Sequence, residues 1–292
     1  MNILVCGAHG FVGRATVTQL RRRGHRVIEA VSTPRTPDAI AVDFARDTVA
    51  ATWLPRLTGV DAAVNAVGML RDRRRSPIAA VHESTPRALF EACAQAGVRR
   101  VVQVSALGIV GSDTLYARTK LAAEAALALH VEAGRLDGVV VRPSIVFGRG
   151  GSSSEFFLRL ARLSALLLPL PVRRALVQPV AVGELAEVLA TLVESPASPA
   201  RLVEAVGPEA VTLAGFVASL RAQAGRAPAR VGSLPEALGR WSARLGDAIP
   251  LSPWCSETLA LLAADNVADP ERFARLLGRR ATRFDALAGV TP

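Results

Sequence analysis

The stretch Gly7-Ala8-His9-Gly10-Phe11-Val12-Gly13 follows a short apolar run at residues 2–6 and precedes a helical pattern that extends to Gly24. A strand, a glycine-rich turn and a helix in this order are typical of a dinucleotide-binding βαβ unit. The first glycine permits a tight turn, the second lets the backbone approach a pyrophosphate, and the third lets the helix pack on the strand. The helix N-terminus then offers free N–H groups to the phosphates. The alternative is a glycine-rich loop without a ligand. The predicted phosphate-binding residues are Gly7, Gly10, Phe11, Val12 and Gly13.

The second strand, residues 26–32, indicates which dinucleotide is bound. An acidic residue at its end would hold the ribose 2′-hydroxyl of NAD, whereas a nearby arginine suits the 2′-phosphate of NADP. Glu29 lies in mid-strand, and the strand ends at Ser32 with Arg35 shortly after it. Arg14 directly follows the glycine-rich turn. The sequence therefore favours NADP(H) over NAD(H), with Arg14, Ser32 and Arg35 among the cofactor-binding residues.

Strands and helices continue to alternate along the first half of the chain. Strand-like runs at residues 40–42, 61–64, 100–104 and 138–141 are separated by helical patterns. Such alternation is typical of a parallel sheet with right-handed crossovers, so the predicted fold class is α/β, a Rossmann-type doubly wound sheet. Ligands of such sheets lie at the carboxyl ends of the strands. The residues predicted to meet the cofactor there are Asp43, Phe44, Asn65, Ala66, Val67, Gly68, Pro143 and Ser144.

Tyr116 and Lys120 are the only tyrosine and the only lysine in a chain with 35 basic residues. On a helix, residues four apart face the same way, so the phenol and the ammonium can converge on one ligand. A free tyrosine has a pKa of about 10, and a cation that stabilises the phenolate makes it a better proton-transfer group. Lysine is a compact point charge that can contact a phenol and a sugar hydroxyl together. The pair is either catalytic or an incidental feature of an exposed helix.

Five motifs follow one another in an order found in one large superfamily. They are Gly7-x-x-Gly10-x-x-Gly13, Asp43-Phe44, Asn65-Ala66-x-Gly68, Tyr116-x-x-x-Lys120 and Arg142-Pro143-x-x-Val146-Phe147-Gly148. With them, residues 1–195 resemble the extended and atypical short-chain dehydrogenase/reductase superfamily, which includes sugar-nucleotide epimerases and dehydratases. Segments 104–108, 116–120 and 178–186 are similar to the branch that holds the NADPH-binding accessory subunit of respiratory complex I.

The resemblance implies roles for the matching residues. Tyr116 would be the acid/base, Lys120 would hold the nicotinamide ribose and lower the tyrosine pKa, and Ser105 would polarise the substrate. Ala106 and Leu107 follow Ser105 here, where epimerase-type members usually have a hydroxyl-rich run. Two functions stay open. One is an NADP-dependent oxidoreductase, epimerase or dehydratase acting on an unknown small molecule, apolar or anionic. The other is a non-catalytic NADPH-binding accessory or sensor protein that contacts a partner or membrane surface.

The composition of the chain limits which partners, metal sites and cellular locations we expect. The formal net charge is +10, but the arginines are scattered without an aromatic stacking platform, so we expect no nucleic-acid partner.

Cys6, Cys93 and Cys255 lack disulfide or metal spacing, which is typical of a reducing compartment. We predict no metal site. Without an apolar run of about 18 residues or a signal peptide, we expect a cytoplasmic protein with no transmembrane segment. The basic cluster at residues 71–75 fits a solvated loop or one that attracts an anionic substrate.

A change in sequence character after Gly148 predicts a second region. We predict a dinucleotide-binding domain at residues 1–148, with core elements 178–206 returning to it. The substrate or lid region would then comprise residues 149–177 and 207–292.

Residues 156–168 are predicted to form one basic helix. Three placements stay open for it: packing on the cofactor domain, peripheral contact with a membrane surface, or lining of an apolar substrate pocket. Trp241 and Trp254 are expected to pack the second region. Neither the substrate nor the oligomeric state is indicated. Further helices are predicted at residues 184–194, 211–225, 234–245 and 265–277.

Overall fold

The computed structural model of the chain describes residues 1–70, 72, 77–197, 200–249 and 254–290. Apart from Asp72, the basic cluster at residues 71–75 lies outside the described residues. The strands in the described ranges are β1 (Asn2–Cys6), β2 (Arg26–Val31), β3 (Ala39–Ala41), β4 (Ala62–Asn65), β5 (Arg100–Val104), β6 (Asp137–Pro143), β7 (Val146–Phe147), β8 (Ala165–Pro169), β9 (Leu176–Val177), β10 (Val180–Ala181), β11 (Leu202–Ala205), β12 (Val211–Thr212) and β13 (Arg230–Leu234). The α-helices there are α1 (Phe11–Arg22), α2 (Ala50–Trp53), α3 (Thr85–Ala96), α4 (Leu115–Glu132), α5 (Ser152–Arg162), α6 (Leu170–Arg174), α7 (Val182–Glu194), α8 (Leu213–Gln223), α9 (Glu236–Asp247), α10 (Ser256–Leu262), α11 (Glu271–Leu277) and α12 (Leu287–Val290). A 3₁₀ turn at Leu54–Leu57 follows α2, and a π-helical turn at Ala80–Ser84 precedes α3.

A seven-stranded sheet carries the site described below. Its strand order is β11-β6-β5-β4-β1-β2-β3, and every neighbouring pair is parallel. In this register Cys6 lies beside Ala30 on one side and Asn65 on the other, so the carboxyl ends of β1, β2 and β4 finish nearly level. The Rossmann-type α/β prediction is confirmed.

The strands are buried on both faces, which explains their nearly continuous apolar runs. Ile3 and Val5 point into a core that includes residues of α1, α7 and α11. Leu4 and Cys6 point to the opposite side, into a core built with α2, α3 and α4. Side chains alternate along a strand, so β1 supplies both layers. Helix α7 and strand β11 join this sheet from the second half of the chain, and the exact domain boundaries stay a prediction.

A third core is built around Phe147, Phe157 and Phe216. The predicted helix at residues 156–168 is wrong in its second half. Helix α5 ends at Arg162, and β8 pairs in parallel with β13, which lies more than 60 residues away. An apolar run such as Ala165–Pro169 does not by periodicity alone distinguish a strand from a buried helix. The predicted helix at 265–277 begins later, at Glu271, directly after Pro270.

The expectations for single residues of the second region and for the cysteines have mixed outcomes. Trp254 packs against the third core, as predicted. The prediction for Trp241 is wrong, because this side chain is 61% exposed. Cys6, Cys93 and Cys255 are buried free thiols. No helix in the described ranges has the length and apolar character to cross a membrane.

Candidate functional site

The glycine-rich turn after β1 has a geometry that larger residues cannot adopt. Gly7 has a φ of 75°, in the left-handed region that favours glycine. A Cβ atom on Gly13 would lie 2.1 Å from the Gly7 carbonyl oxygen, so α1 packs directly on the turn. The Gly10 N–H donates to the same oxygen at 2.8 Å. Helix α1 begins at Phe11 without a side-chain cap, so its N-terminus is a suitable anion site.

Glu29 is a member of the site region that the sequence placed only in mid-strand. Its buried carboxylate forms an ion pair with Arg21 at 2.8 Å and lies 3.0 Å from His9 Nε2 in the glycine-rich turn. Ser32 and Arg35, just beyond β2, are both exposed. Arg14 is also exposed, and its guanidinium lies over Gly150, where a Cβ would be 2.6 Å from Nη2. The end of β2 therefore exposes the Ser32 hydroxyl and the Arg35 guanidinium, while the Glu29 carboxylate is paired with Arg21.

The carboxyl end of β4 is fixed by a buried amide pair. Asn65 Nδ2 donates to Gln103 Oε1 at 2.8 Å, and Asn65 Oδ1 accepts the Val67 N–H at 3.3 Å. These bonds hold the backbone of Ala66, Val67 and Gly68 at the sheet edge.

The predicted pair Asp43 and Phe44 lies beyond β3. The Asp43 carboxylate accepts the Ala45 N–H at 3.0 Å, and the Phe44 ring packs on Trp53 with the ring centroids 6.5 Å apart.

Lys120 reaches the same edge from the first turns of α4. Its side chain is buried, and Nζ donates to the carbonyl oxygens of Val67 and Val104, each at 3.1 Å. An ammonium has three N–H donors, so one remains for a ligand. Burial lowers the pKa of Lys120 to about 8, against the opposing effect of Glu124. Glu124 is itself held by Arg142 Nε at 3.0 Å, which ties α4 to β6.

Tyr116 packs on His82, with the rings edge to face and their centroids 5.4 Å apart. The Met69 N–H donates to His82 Nε2 at 3.0 Å. Nε2 is therefore unprotonated, and Nδ1 carries the proton toward the Thr119 hydroxyl at 3.3 Å. Thr119 in turn donates to the Leu115 carbonyl at 2.9 Å. This chain of bonds ties α4 to the loop after β4.

Burial governs the ionisation of the pair in the free protein. It raises the pKa of Tyr116 to about 12, and the lowering of this pKa by Lys120 that the resemblance implies stays a prediction. The Lys120 ammonium is turned toward two backbone carbonyls, so its charge is shared with them. Burial also lowers the pKa of His82 to about 2, which leaves this imidazole neutral under ordinary conditions.

Ser105 and Ser144 have opposite hydrogen-bond environments. The Ser105 hydroxyl is buried at the end of β5 and has no hydrogen-bond partner in the described part of the chain. The Ser144 hydroxyl, next to Pro143, donates to the Asn266 carbonyl at 3.1 Å and accepts the Gln178 N–H at 3.3 Å. The Ser144 side chain is thus engaged within the protein, whereas the Ser105 hydroxyl is buried and unpaired in the described part of the chain.

The C-terminal part of the chain covers this end of the sheet. Glu257 accepts the N–H groups of Leu115 and Tyr116 at 3.1 and 3.4 Å, and so caps the helix that carries Tyr116. Asn266 Nδ2 donates to the Leu107 carbonyl at 2.9 Å. A cavity of about 510 Å³ lies between the loop after β5 and α10, lined in part by Asp113, Thr114 and Glu257.

Two residues of this arrangement were missed by sequence reasoning. His82 is one of four dispersed histidines, and its partner Thr119 lies 37 positions away. Glu257 lies 142 positions from Leu115. Neither contact leaves a local pattern.

The parallel sheet, the tight glycine-rich turn and the Tyr116–Lys120 helix at its carboxyl edge define the short-chain dehydrogenase/reductase class. Residues 3–205 match the model of the NAD dependent epimerase/dehydratase family, and the chain belongs to that family. Both findings confirm the resemblance noted in the sequence.

Individual relatives agree with this assignment. NADH dehydrogenase (ubiquinone) 1 alpha subcomplex subunit 9, mitochondrial, of Rattus norvegicus is 26% identical over 266 residues, which are 87% of this chain and 69% of the relative. The dTDP-4-dehydrorhamnose reductase of Mycolicibacterium smegmatis is 31% identical over 181 residues, or 56% of this chain and 51% of the relative. The chain therefore spans about half the length of that reductase. The crystal structure of human epimerase family protein SDR39U1 with NADPH has a TM-score of 0.73 at 21% identity, over 99% of this chain and 100% of that one.

Proposed function

We propose that this protein binds NADP(H) and is an oxidoreductase, or an epimerase or dehydratase of the same family, that acts on a small-molecule substrate through Tyr116 and Lys120. The observation that carries the proposal is the position of Lys120. Its Nζ is fixed between the carboxyl ends of β4 and β5 by two carbonyls at 3.1 Å, with one N–H remaining. A buried cation with a spare donor beside the sheet edge suits a ribose hydroxyl.

The residues around the turn fit a dinucleotide. Gly13 has no room for a Cβ and Gly7 has a positive φ, and the uncapped start of α1 lies beside this turn. When bound, the nicotinamide supplies the hydride donor or acceptor. The preference for NADP over NAD is supported by Ser32 and Arg35, exposed just beyond β2, and by the engagement of Glu29 with Arg21 at 2.8 Å.

Tyr116 would handle the proton. With its pKa near 12 the phenol is protonated at neutral pH, so the free protein holds it ready as an acid. Lys120, with a pKa near 8, is mostly charged at pH 7 and can stabilise the phenolate once the proton has left. The buried hydroxyl of Ser105 is the donor available to a substrate oxygen.

A second candidate function is a non-catalytic cofactor-binding accessory or sensor protein. Two observations favour it: the Tyr116 pKa is raised, and no hydrogen bond in the described residues joins the Ser105 hydroxyl to Tyr116. Lys120 would hold the cofactor in either case. The cytoplasmic location expected from the cysteines stays a proposal.

Thermal unfolding with NADP(H) and NAD(H) tests the cofactor proposal. A ligand that binds only the native state raises the unfolding temperature by mass action, and we expect the larger rise with NADP(H). A chain that shows no rise with any of the four nucleotides does not bind this cofactor class.

Tyr116→Phe separates the two functions. Loss of the hydroxyl should leave NADPH affinity within about twofold, since the ring and Lys120 remain, and should abolish any NADPH oxidation found with a carbonyl substrate panel. Equal turnover by the variant would remove Tyr116 from the acid/base role.

A further inference from the structure

Helix α9 presents its large apolar side chains outward. Leu238, Trp241 and Leu245 are 52%, 61% and 51% exposed. At spacings of three and four residues they share one face of the helix, and Ile249 continues the line just beyond its end. Strand β8, on which α9 packs, adds Leu167, which is 65% exposed. This apolar strip is unusual on the surface of a monomer.

The inward face of the same helix is made of small residues. Gly239, Ala243 and Gly246 are buried. A Cβ on Gly239 would lie 2.5 Å from Pro169 Cγ, so the helix lies too close to β8 to rotate a large side chain inward. The apolar strip therefore faces outward because the small residues of α9 pack directly on β8.

The charges on α9 and on the whole chain indicate what kind of partner binds the apolar strip. Glu236 is paired with Arg240, and the Asp247 carboxylate accepts from Ser256 N and Oγ at 2.9 and 2.6 Å. Arg244, which follows Trp241 by three residues, is exposed and has no acidic partner in the described ranges. The formal charge of +10 makes two copies of the chain repel each other and draws the chain to an anionic surface.

We propose that α9 docks this protein peripherally on an anionic lipid bilayer. Leu238, Trp241 and Leu245 enter the boundary between headgroups and acyl chains, and Arg244 reaches lipid phosphate. An apolar face flanked by arginine, with tryptophan at its border, is the composition of helices that lie in the membrane interface. This surface is α9 and not the segment at residues 156–168, for which membrane contact was one of three open placements. It is separate from the Tyr116–Lys120 site.

Vesicle flotation of the full chain tests the proposal. Vesicles of phosphatidylcholine alone are compared with vesicles that also contain phosphatidylglycerol. Wild type should float with the anionic vesicles, less so at high salt, and Trp241 emission should shift to the blue on binding. The triple variant Leu238→Ser, Trp241→Ser, Leu245→Ser should bind at least about tenfold more weakly, since three apolar side chains no longer leave water.

Leu129→Ser is the matched control, because Leu129 is 65% exposed on α4 and outside the strip. It should bind as wild type does. All changed positions are exposed, and the unfolding temperature of each variant checks that it is folded. The proposal is overturned if wild type ignores phosphatidylglycerol vesicles or binds both vesicles equally. It is also overturned if the triple variant binds undiminished, or if light scattering shows a wild-type dimer that the triple variant dissolves.

Discussion

Replacing Gly13 by alanine should damage the fold, whereas the same change at Gly10 should damage only ligand binding. The Cβ of Gly13→Ala would lie 2.1 Å from the Gly7 oxygen and 2.7 Å from the Gly7 carbon, both backbone atoms of a tight turn. Since a Cβ needs roughly 1 Å more room than this, α1 must move away from β1. Overpacking of this kind lowers the free energy of unfolding by about 3 kcal/mol.

Gly10 is the matched comparison. Its φ of −72° suits any residue, and its Cβ would meet only the Gly7 oxygen, at 3.0 Å. We expect Gly10→Ala to lower the free energy of unfolding by less than about 1 kcal/mol. Its added methyl group would project where the proposed pyrophosphate approaches the backbone, and the loss of charge-assisted hydrogen bonds there should weaken NADPH binding about tenfold or more.

Urea unfolding monitored by circular dichroism measures the first quantity, and isothermal titration with NADPH measures the second. Gly24→Ala serves as a backbone control, since Gly24 has a φ of 82° with open space around it and should show only conformational strain of about 1 kcal/mol. A Gly13→Ala protein as stable as wild type would refute the packing argument. A stable Gly10→Ala protein with unchanged NADPH affinity would refute the assignment of the turn as a phosphate cradle.

Two further predictions concern titration. NADP(H) affinity should fall as the pH rises through about 8, because Lys120 then loses the proton that makes it an ammonium donor. Binding titrations from pH 6.5 to 9.5 should show this inflection in wild type and not in Lys120→Met. A flat wild-type profile would contradict the role of Lys120 as a donor to the cofactor. For His82 the folded pKa of about 2 lies below its ordinary 6.5, so the unfolded chain binds the extra proton and stability falls with acid. Because of this group, the free energy of unfolding should drop by at most about 1.4 kcal/mol per pH unit below pH 6. In urea titrations, His82→Ala should remove that pH dependence and lower the free energy of unfolding at pH 7 by about 2–4 kcal/mol. Equal pH dependence in wild type and variant would show that His82 is not the titrating group.

The parallel sheet in the first half of the chain was predictable because its signals are local. A strand, a turn that only glycine can form, and a helix follow one another within residues 2–22, and each later strand end carries its own short motif. The helix with Tyr116 and Lys120 was predictable for the same reason, since the two residues are one turn apart.

The rest depends on partners that are distant in sequence. The run that contains Leu166 and Leu168 is a strand only because β13 lies beside it. Periodicity identifies the apolar face of α9 but does not show which face of the helix is buried. The small face is buried here, because Gly239 lies directly against Pro169 of β8. The raised pKa of Tyr116 follows from burial, which a sequence motif does not report.

The cap that Glu257 places on α4 has a consequence for the order of events during synthesis. Tyr116 leaves the ribosome 141 residues ahead of the carboxylate that receives its N–H. At about 5–20 residues per second, that gap lasts roughly 7 to 30 s. Through that interval the nascent chain can build the early strands while only the local cap from Thr114 is present at the start of the tyrosine helix. The amino end of the tyrosine helix therefore reaches its final hydrogen-bonding state only after Glu257 has been synthesised.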